Sequence, residues 1–203
     1  MGGHSVTLGA ALRPAAFSAL VLFDPVIRAK DQYVGGWKKT EFVTKRRNQW
    51  TSASEMFERF ENRPPFVSWD RAVFGDYCDY ALLPDTAASN HTAASIHTAA
   101  SNQGDGFILA CAPTVEASIY AGSTAVETNI YPEIATIQIP VQVVRAGRKG
   151  DPSNFMGSSP TSPDLAASFA RGTDTCTAEY SHFIPMEGPG FAAKTIAEAL
   201  ALL

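Results

Sequence analysis

Two segments at opposite ends of the chain carry residue types that do chemistry together. Gly3-His4-Ser5 stands near the start, and Ser181-His182-Phe183-Ile184-Pro185-Met186-Glu187 stands near the end. A serine hydroxyl is a weak nucleophile until a base takes its proton. An imidazole does that best near neutral pH. The pair suggests a serine hydrolase, with Ser5 and His182 as its candidate catalytic residues.

Composition narrows what such a pair could serve. The chain has 203 residues, 45% of them apolar, enough for one sizeable core. Net charge is −4 and the only basic run is Lys45-Arg46-Arg47, so the electrostatic footprint of a nucleic-acid binder is missing. The apolar stretch from Ala15 to Val26 is too short to span a bilayer and contains Asp24, and no basic segment precedes it as in a signal peptide. No membrane attachment is expected. Cys78, Cys111 and Cys176 are odd in number and lack metal-ligand spacing, which fits free thiols in a reducing compartment and a cytoplasmic protein. Cys111, in Leu-Ala-Cys-Ala-Pro, reads as a small buried residue. His91 and His97 lie between three Thr-Ala-Ala-Ser copies that begin at Thr86, Thr92 and Thr98; with no carboxylate or cysteine at fitting spacing, no metal is expected.

The elements that must position the two segments are legible in part. Ala19 to Phe23 is a continuous apolar run closed by Asp24-Pro25, the pattern of a strand buried on both faces of a parallel sheet. Val141 to Arg145 predicts a second strand and Cys176 to Tyr180 a third. A terminal helix is predicted from Phe191 to Leu203, its apolar side carrying Ile196, Leu200 and Leu203. Between the first two strands lies a long, mostly helical segment. Ser52-Ala53-Ser54-Glu55 has the capping-box pattern, Asp70 is a candidate cap for a helix from Arg71 to Leu82, and Pro113 to Tyr120 predicts a third with Val115, Ile119 and Tyr120 on its apolar side. The alternation predicts an α/β fold.

At these residues the chain resembles the α/β-hydrolase family. Gly3-His4-Ser5 looks like the turn that presents the nucleophile, Leu20 to Pro25 like the strand after the helix that follows it, and Ser181 to Glu187 like the histidine segment. The resemblance spans nearly the whole chain but only the C-terminal portion of the family's fold. It implies an incomplete α/β-hydrolase fold of few parallel strands with flanking helices. Residues 1–27 and 131–203 would form the partial core and 28–130 an inserted helical lid, with a disordered repeat loop at 85–105. It also implies a catalytic acid between the serine and the histidine in chain order. Asp151, in the loop after the second strand, matches the usual position; Asp24, at the end of the preceding strand, is the alternative. The Val6 N–H would be the oxyanion donor. The implied reaction is hydrolysis of a small ester or related carbonyl compound, without a cofactor.

The chain departs from the family pattern as well. Val6-Thr7 follows Ser5 where a glycine would ease the turn, and only Met1 and Gly2 precede it. The family's central strand and second oxyanion donor would then be absent, and losing one such donor costs about 2.7–4 kcal/mol of transition-state stabilisation. The strand at 19–23 would be left with a bare edge, open to self-association or to a partner strand. The alternative reading is thus a non-catalytic remnant or partner-binding fragment. In a third, Trp37, Trp50, Phe66 and Trp69 would line a small-ligand pocket, although ordinary aromatic packing is the favoured account of them, since large aromatics dominate cores generally.

Overall fold

Short apolar runs closed by turn residues form the sheet that organises the molecule. In this computed structural model, which describes residues 1–36, 40–85, 106–147 and 159–201, helix α1 (Gly2–Leu12) leads into strand β1 (Leu20–Phe23). An insert follows with α2 (Glu41–Thr44), β2 (Gln49–Trp50), α3 (Ala53–Phe60), α4 (Arg71–Tyr80), β3 (Leu82–Pro84), β4 (Phe107–Leu109) and α5 (Pro113–Gly122). The chain returns through α6 (Tyr131–Ile134), β5 (Val141–Ala146), β6 (Gly172–Thr177), α7 (Ile184–Glu187) and α8 (Pro189–Leu200).

Strands β1, β5 and β6 lie side by side in that order, all parallel. Leu20 faces Val141 and Phe23 faces Val144 across the first pair, while Val141 faces Gly172 and Ala146 faces Thr177 across the second. Val141, Val143 and Val144 are buried, as a strand covered on both faces predicts, whereas β1 alternates, with Leu20 and Leu22 buried and Val21 and Phe23 half-buried. Leu22 and Val143 pack with Ile27, Ile134 and Leu165 in the main core, and α1 adds Ala10. The third strand begins earlier than the predicted Cys176 to Tyr180. Its residues are largely exposed, so no apolar run marks it; Asp174 instead makes a two-pronged ion pair with Arg145 of β5, at 2.6 and 2.7 Å. The Arg145 guanidinium holds the Asp174 carboxyl below its ordinary range.

Two helices turn other faces inward than periodicity predicts. In α8 the buried residues are Ala192 and Thr195, whereas Ile196 and Leu200 are 44% and 63% exposed; Leu203 lies outside the described residues. In α5 Pro113 and Ala117 are buried, and Val115 and Ile119 face out. The fully buried positions of both helices are small or compact side chains, a signal that counting large apolar residues misses, although α8 also packs Phe191 against Tyr180 and the core of Val144, Ala146 and Ile184.

The insert has its own architecture. Ser52 caps α3 by accepting the Glu55 N–H at 3.0 Å, but the Glu55 carboxylate passes over Ser52 to the N–H and hydroxyl of Thr51, each at 2.9 Å. Asp70 caps α4, its Oδ1 accepting from the N–H groups of Ala72 and Val73. Beyond the expected helices there is an antiparallel sheet, β2-β4-β3, whose strands of two or three residues are too short to show alternation. The repeat tract falls outside the described residues. Trp50, Met56, Phe74, Cys78 and Leu82 form a second core with Phe60, Phe66 and Trp69 around it. Trp50, Phe66 and Trp69 are thus packing residues there; Trp37 lies outside the described residues. Burial pushes the Cys78 thiol up to about 11. Cys111, expected to be buried, is exposed. Tyr33 and Ile130, from within the 28–130 stretch, pack in the main core.

Candidate active site at the strand ends

Asp24 is the residue on which the site is built. It directly follows β1 and has a φ of 43°, a left-handed conformation uncommon for a residue with a side chain and further restricted before proline. Its own N–H still bonds the Val144 carbonyl at 2.7 Å, so the chain turns away only after the last rung of the ladder. The carboxylate is buried and fully engaged. Oδ1 accepts from the Ala146 N–H at 2.9 Å and the Ser159 hydroxyl at 2.5 Å, with the Thr161 hydroxyl 3.2 Å away. The other oxygen, Oδ2, lies 2.7 Å from Nδ1 of His182. Backbone strain held in place by this many contacts is typical of functional positions.

His182 stands between β6 and α7, on the turn that returns the chain past the same strand ends. With Nδ1–H donating to a buried carboxylate, Nε2 is left to accept a proton, the tautomer a general base needs. The ring is only partly covered, its side chain 21% exposed. Ligands of open parallel sheets bind outside the carboxyl ends of the strands, where this pair sits.

Ser5 lies inside the first turn of α1 rather than on a turn ahead of a helix. Its N–H donates to the Met1 carbonyl at 3.1 Å. The Val6 N–H, expected as an oxyanion donor, follows it into the helix, where α-helical pairing directs it to the Gly2 carbonyl. Two contacts hold this end of α1, the first of them to the residue that follows Asp24. A Cβ on Gly3 would stand 2.6 Å from Cβ of Pro25, so only glycine allows this approach. His4 Nε2 lies 2.9 Å from the Thr128 carbonyl. The structure thus brings Asp24 and His182 into hydrogen-bond contact and places the Ser5 turn against Pro25; no hydrogen bond joins Ser5 to His182 among the described residues. Asp151 lies outside them.

No group of three or more His, Cys, Asp or Glu side chains among the described residues is placed to hold a metal, and no described helix is long and apolar enough to cross a membrane. Ser159, Thr161 and the Ala146 N–H, which hold Asp24, carry no sequence signal, because ordinary serine, threonine and alanine acquire this role only where the fold brings them to its carboxylate.

No family model and no curated protein sequence matches this chain. Solved structures do. It superposes on Lpx1, a peroxisomal α/β-hydrolase from Saccharomyces cerevisiae, with a TM-score of 0.70 at 12% identity, over 98% of this chain and 51% of that one. A thioesterase domain from the curacin biosynthetic pathway gives 0.59 at 13% identity, over 96% and 63%. An E-2-(acetamidomethylene)succinate hydrolase gives 0.58 at 10%, over 97% and 62%. The fold is the α/β-hydrolase fold. The chain spans about half the length of the first of these proteins and under two thirds of the others. Within the α/β-hydrolase fold it supplies a parallel three-stranded portion with its helices and insert.

Proposed function

We propose that this chain carries the catalytic groups of a serine hydrolase acting on a small ester or related carbonyl compound, with Ser5 as nucleophile, His182 as general base and Asp24 as the acid that orients it. The observation that carries the reading is the 2.7 Å contact between His182 Nδ1 and the buried Asp24 carboxylate at the ends of the parallel strands. The three similar structures, two named as hydrolases and one as a thioesterase, support it at the level of fold. In the reaction, Ser5 Oγ attacks the carbonyl carbon while its proton passes to His182 Nε2. The imidazolium, stabilised by Asp24, gives that proton to the leaving oxygen or sulfur as the tetrahedral intermediate collapses to an acyl-serine. Water then repeats the sequence and releases the acid. Asp151 remains the competing acid on chain-order grounds.

An electrophilic phosphonate probe tests this directly. The wild-type chain is expected to take up one label, and Ser5→Ala to take up none. Labelling that survives Ser5→Ala removes Ser5 from the mechanism.

One observation favours the second reading, a non-catalytic fragment that binds a strand. β1 pairs only with β5 among the described residues. Leu20 and Asp24 direct their N–H groups to the β5 side, so Val21 and Phe23 present theirs on the open edge. On this reading sedimentation velocity shows a dimer or larger species that Val21→Pro, which deletes an outward N–H, converts to monomer. A monomeric wild-type chain at tens of micromolar counts decisively against self-pairing.

A further inference from the structure

The turn that carries His182 is held from behind by a carboxylate the proposed chemistry does not use. Glu187 closes α7, and its Oε2 accepts the main-chain N–H of Ser181 at 2.9 Å while its Oε1 accepts the Ser181 hydroxyl. The same Oε1 lies 2.9 Å from the hydroxyl of Ser68 in the insert, whose proton is shared with the Pro65 carbonyl at 2.8 Å. Two contacts run alongside. The Asp70 N–H donates to the Met186 carbonyl at 2.8 Å, and the Trp69 ring lies 5.3 Å from the Phe183 ring. Three successive residues of the insert, 68 to 70, therefore grip residues 183, 186 and 187 around the histidine turn.

We infer that Glu187 is a positioning residue: it fixes the backbone from which His182 projects and, through Ser68, fastens that backbone to the insert. The inference rests on the reading of Asp24 and His182 as acid and base. Asp24 holds only the ring, through one bond to Nδ1, and a ring held at one point can still pivot. Aiming Nε2 requires the main chain behind it to be held too. Ser181, directly before His182, is 7% exposed, so its N–H and hydroxyl need partners inside the protein. A carboxylate gives both of them charge-assisted bonds, about twice as strong as neutral ones. Because Ser68 shares the same oxygen, displacement of the insert by a bound substrate is transmitted to the histidine turn without any contact between the substrate and Glu187.

The proton on His182 Nδ1 reads this geometry by NMR without turnover, its downfield signal assigned by its loss in His182→Ala. Glu187→Ala is expected to shift or broaden that signal and to slow phosphonate labelling at least tenfold. Glu187→Gln, whose amide oxygen still accepts the Ser181 N–H, is expected to restore most of both. Ser68→Ala keeps the two bonds to Ser181 and is expected to speed amide exchange at Trp69 and Asp70 at least tenfold. An Nδ1 signal unmoved in both Glu187 variants, even with a lowered melting temperature, reduces Glu187 to a purely structural role and overturns the inference. If Glu187→Ala does not fold, Glu187→Met, which keeps most of the side chain's bulk but has no acceptor oxygen for the Ser181 N–H, takes its place, and an unmoved signal there overturns the inference. A wild-type chain that takes no label fails as a serine hydrolase, while the NMR comparison still decides the role of Glu187.

Discussion

Replacing Asp24 with asparagine is expected to slow acylation of Ser5 by about 10³- to 10⁴-fold while leaving the fold intact, in line with the cost of the same change in a known triad. The size of the effect follows from which oxygen is already committed. Oδ1 accepts from the Ala146 N–H and the Ser159 hydroxyl, so an asparagine keeps its carbonyl oxygen on that side and turns its amide NH₂ toward His182. Nδ1 must then accept a hydrogen bond, which moves the imidazole proton to Nε2. In that tautomer Nε2 cannot take the serine proton. Asp24→Ala adds a structural loss of about 1–3 kcal/mol, because the buried Ala146 N–H loses its partner. Labelling rates for the variants, with denaturant melts alongside, separate the two effects. Asp151→Asn belongs in the same series: a large loss there, with Asp24→Asn within tenfold of wild type, would transfer the acid to Asp151.

That comparison also shows where sequence reasoning stopped. The serine, the histidine and both candidate acids stand out in the chain, and β1, β5, α3 and α4 follow from apolar runs and caps at Ser52 and Asp70. What separates Asp24 from an ordinary Asp-Pro turn is a left-handed φ and four partners, Ala146 of β5, Ser159, Thr161 and His182, all more than a hundred residues away in sequence. No local pattern encodes that. The same holds for β6, which is held by a parallel ladder and the Arg145–Asp174 pair rather than by apolar burial, and for the faces that α5 and α8 turn inward, whose fully buried residues are alanine, proline and threonine. Sequence patterns mark elements that bury large side chains. They are silent on elements placed by hydrogen bonds or by close approach.

Close approach underlies the second large expectation, for Gly3→Ala. An alanine in a helix is ordinarily favoured over glycine, by up to about 1 kcal/mol in a helix interior, so propensity alone predicts a small gain. Here the new methyl would stand 2.6 Å from Cβ of Pro25 and 3.1 Å from its Cα. A proline ring cannot swing aside, and Pro25 is bonded to Asp24, which is pinned at both carboxylate oxygens. The helix is therefore the part that moves, by roughly an ångström to reach ordinary van der Waals separation, and it carries Ser5 with it. A displacement of about 1 Å in a reacting group costs on the order of 10²-fold in rate. Phosphonate labelling is thus expected to slow about a hundredfold while the melting temperature changes little, the propensity gain offsetting part of the clash. Gly2→Ala is the matched control, since a Cβ there meets nothing within 4 Å and the labelling rate is expected to hold. If Gly3→Ala labels as fast as wild type, the contact with Pro25 does not set the position of Ser5, and its alignment with the Asp24–His182 pair must come from the rest of α1, through the burial of Thr7 and Ala10 against the core.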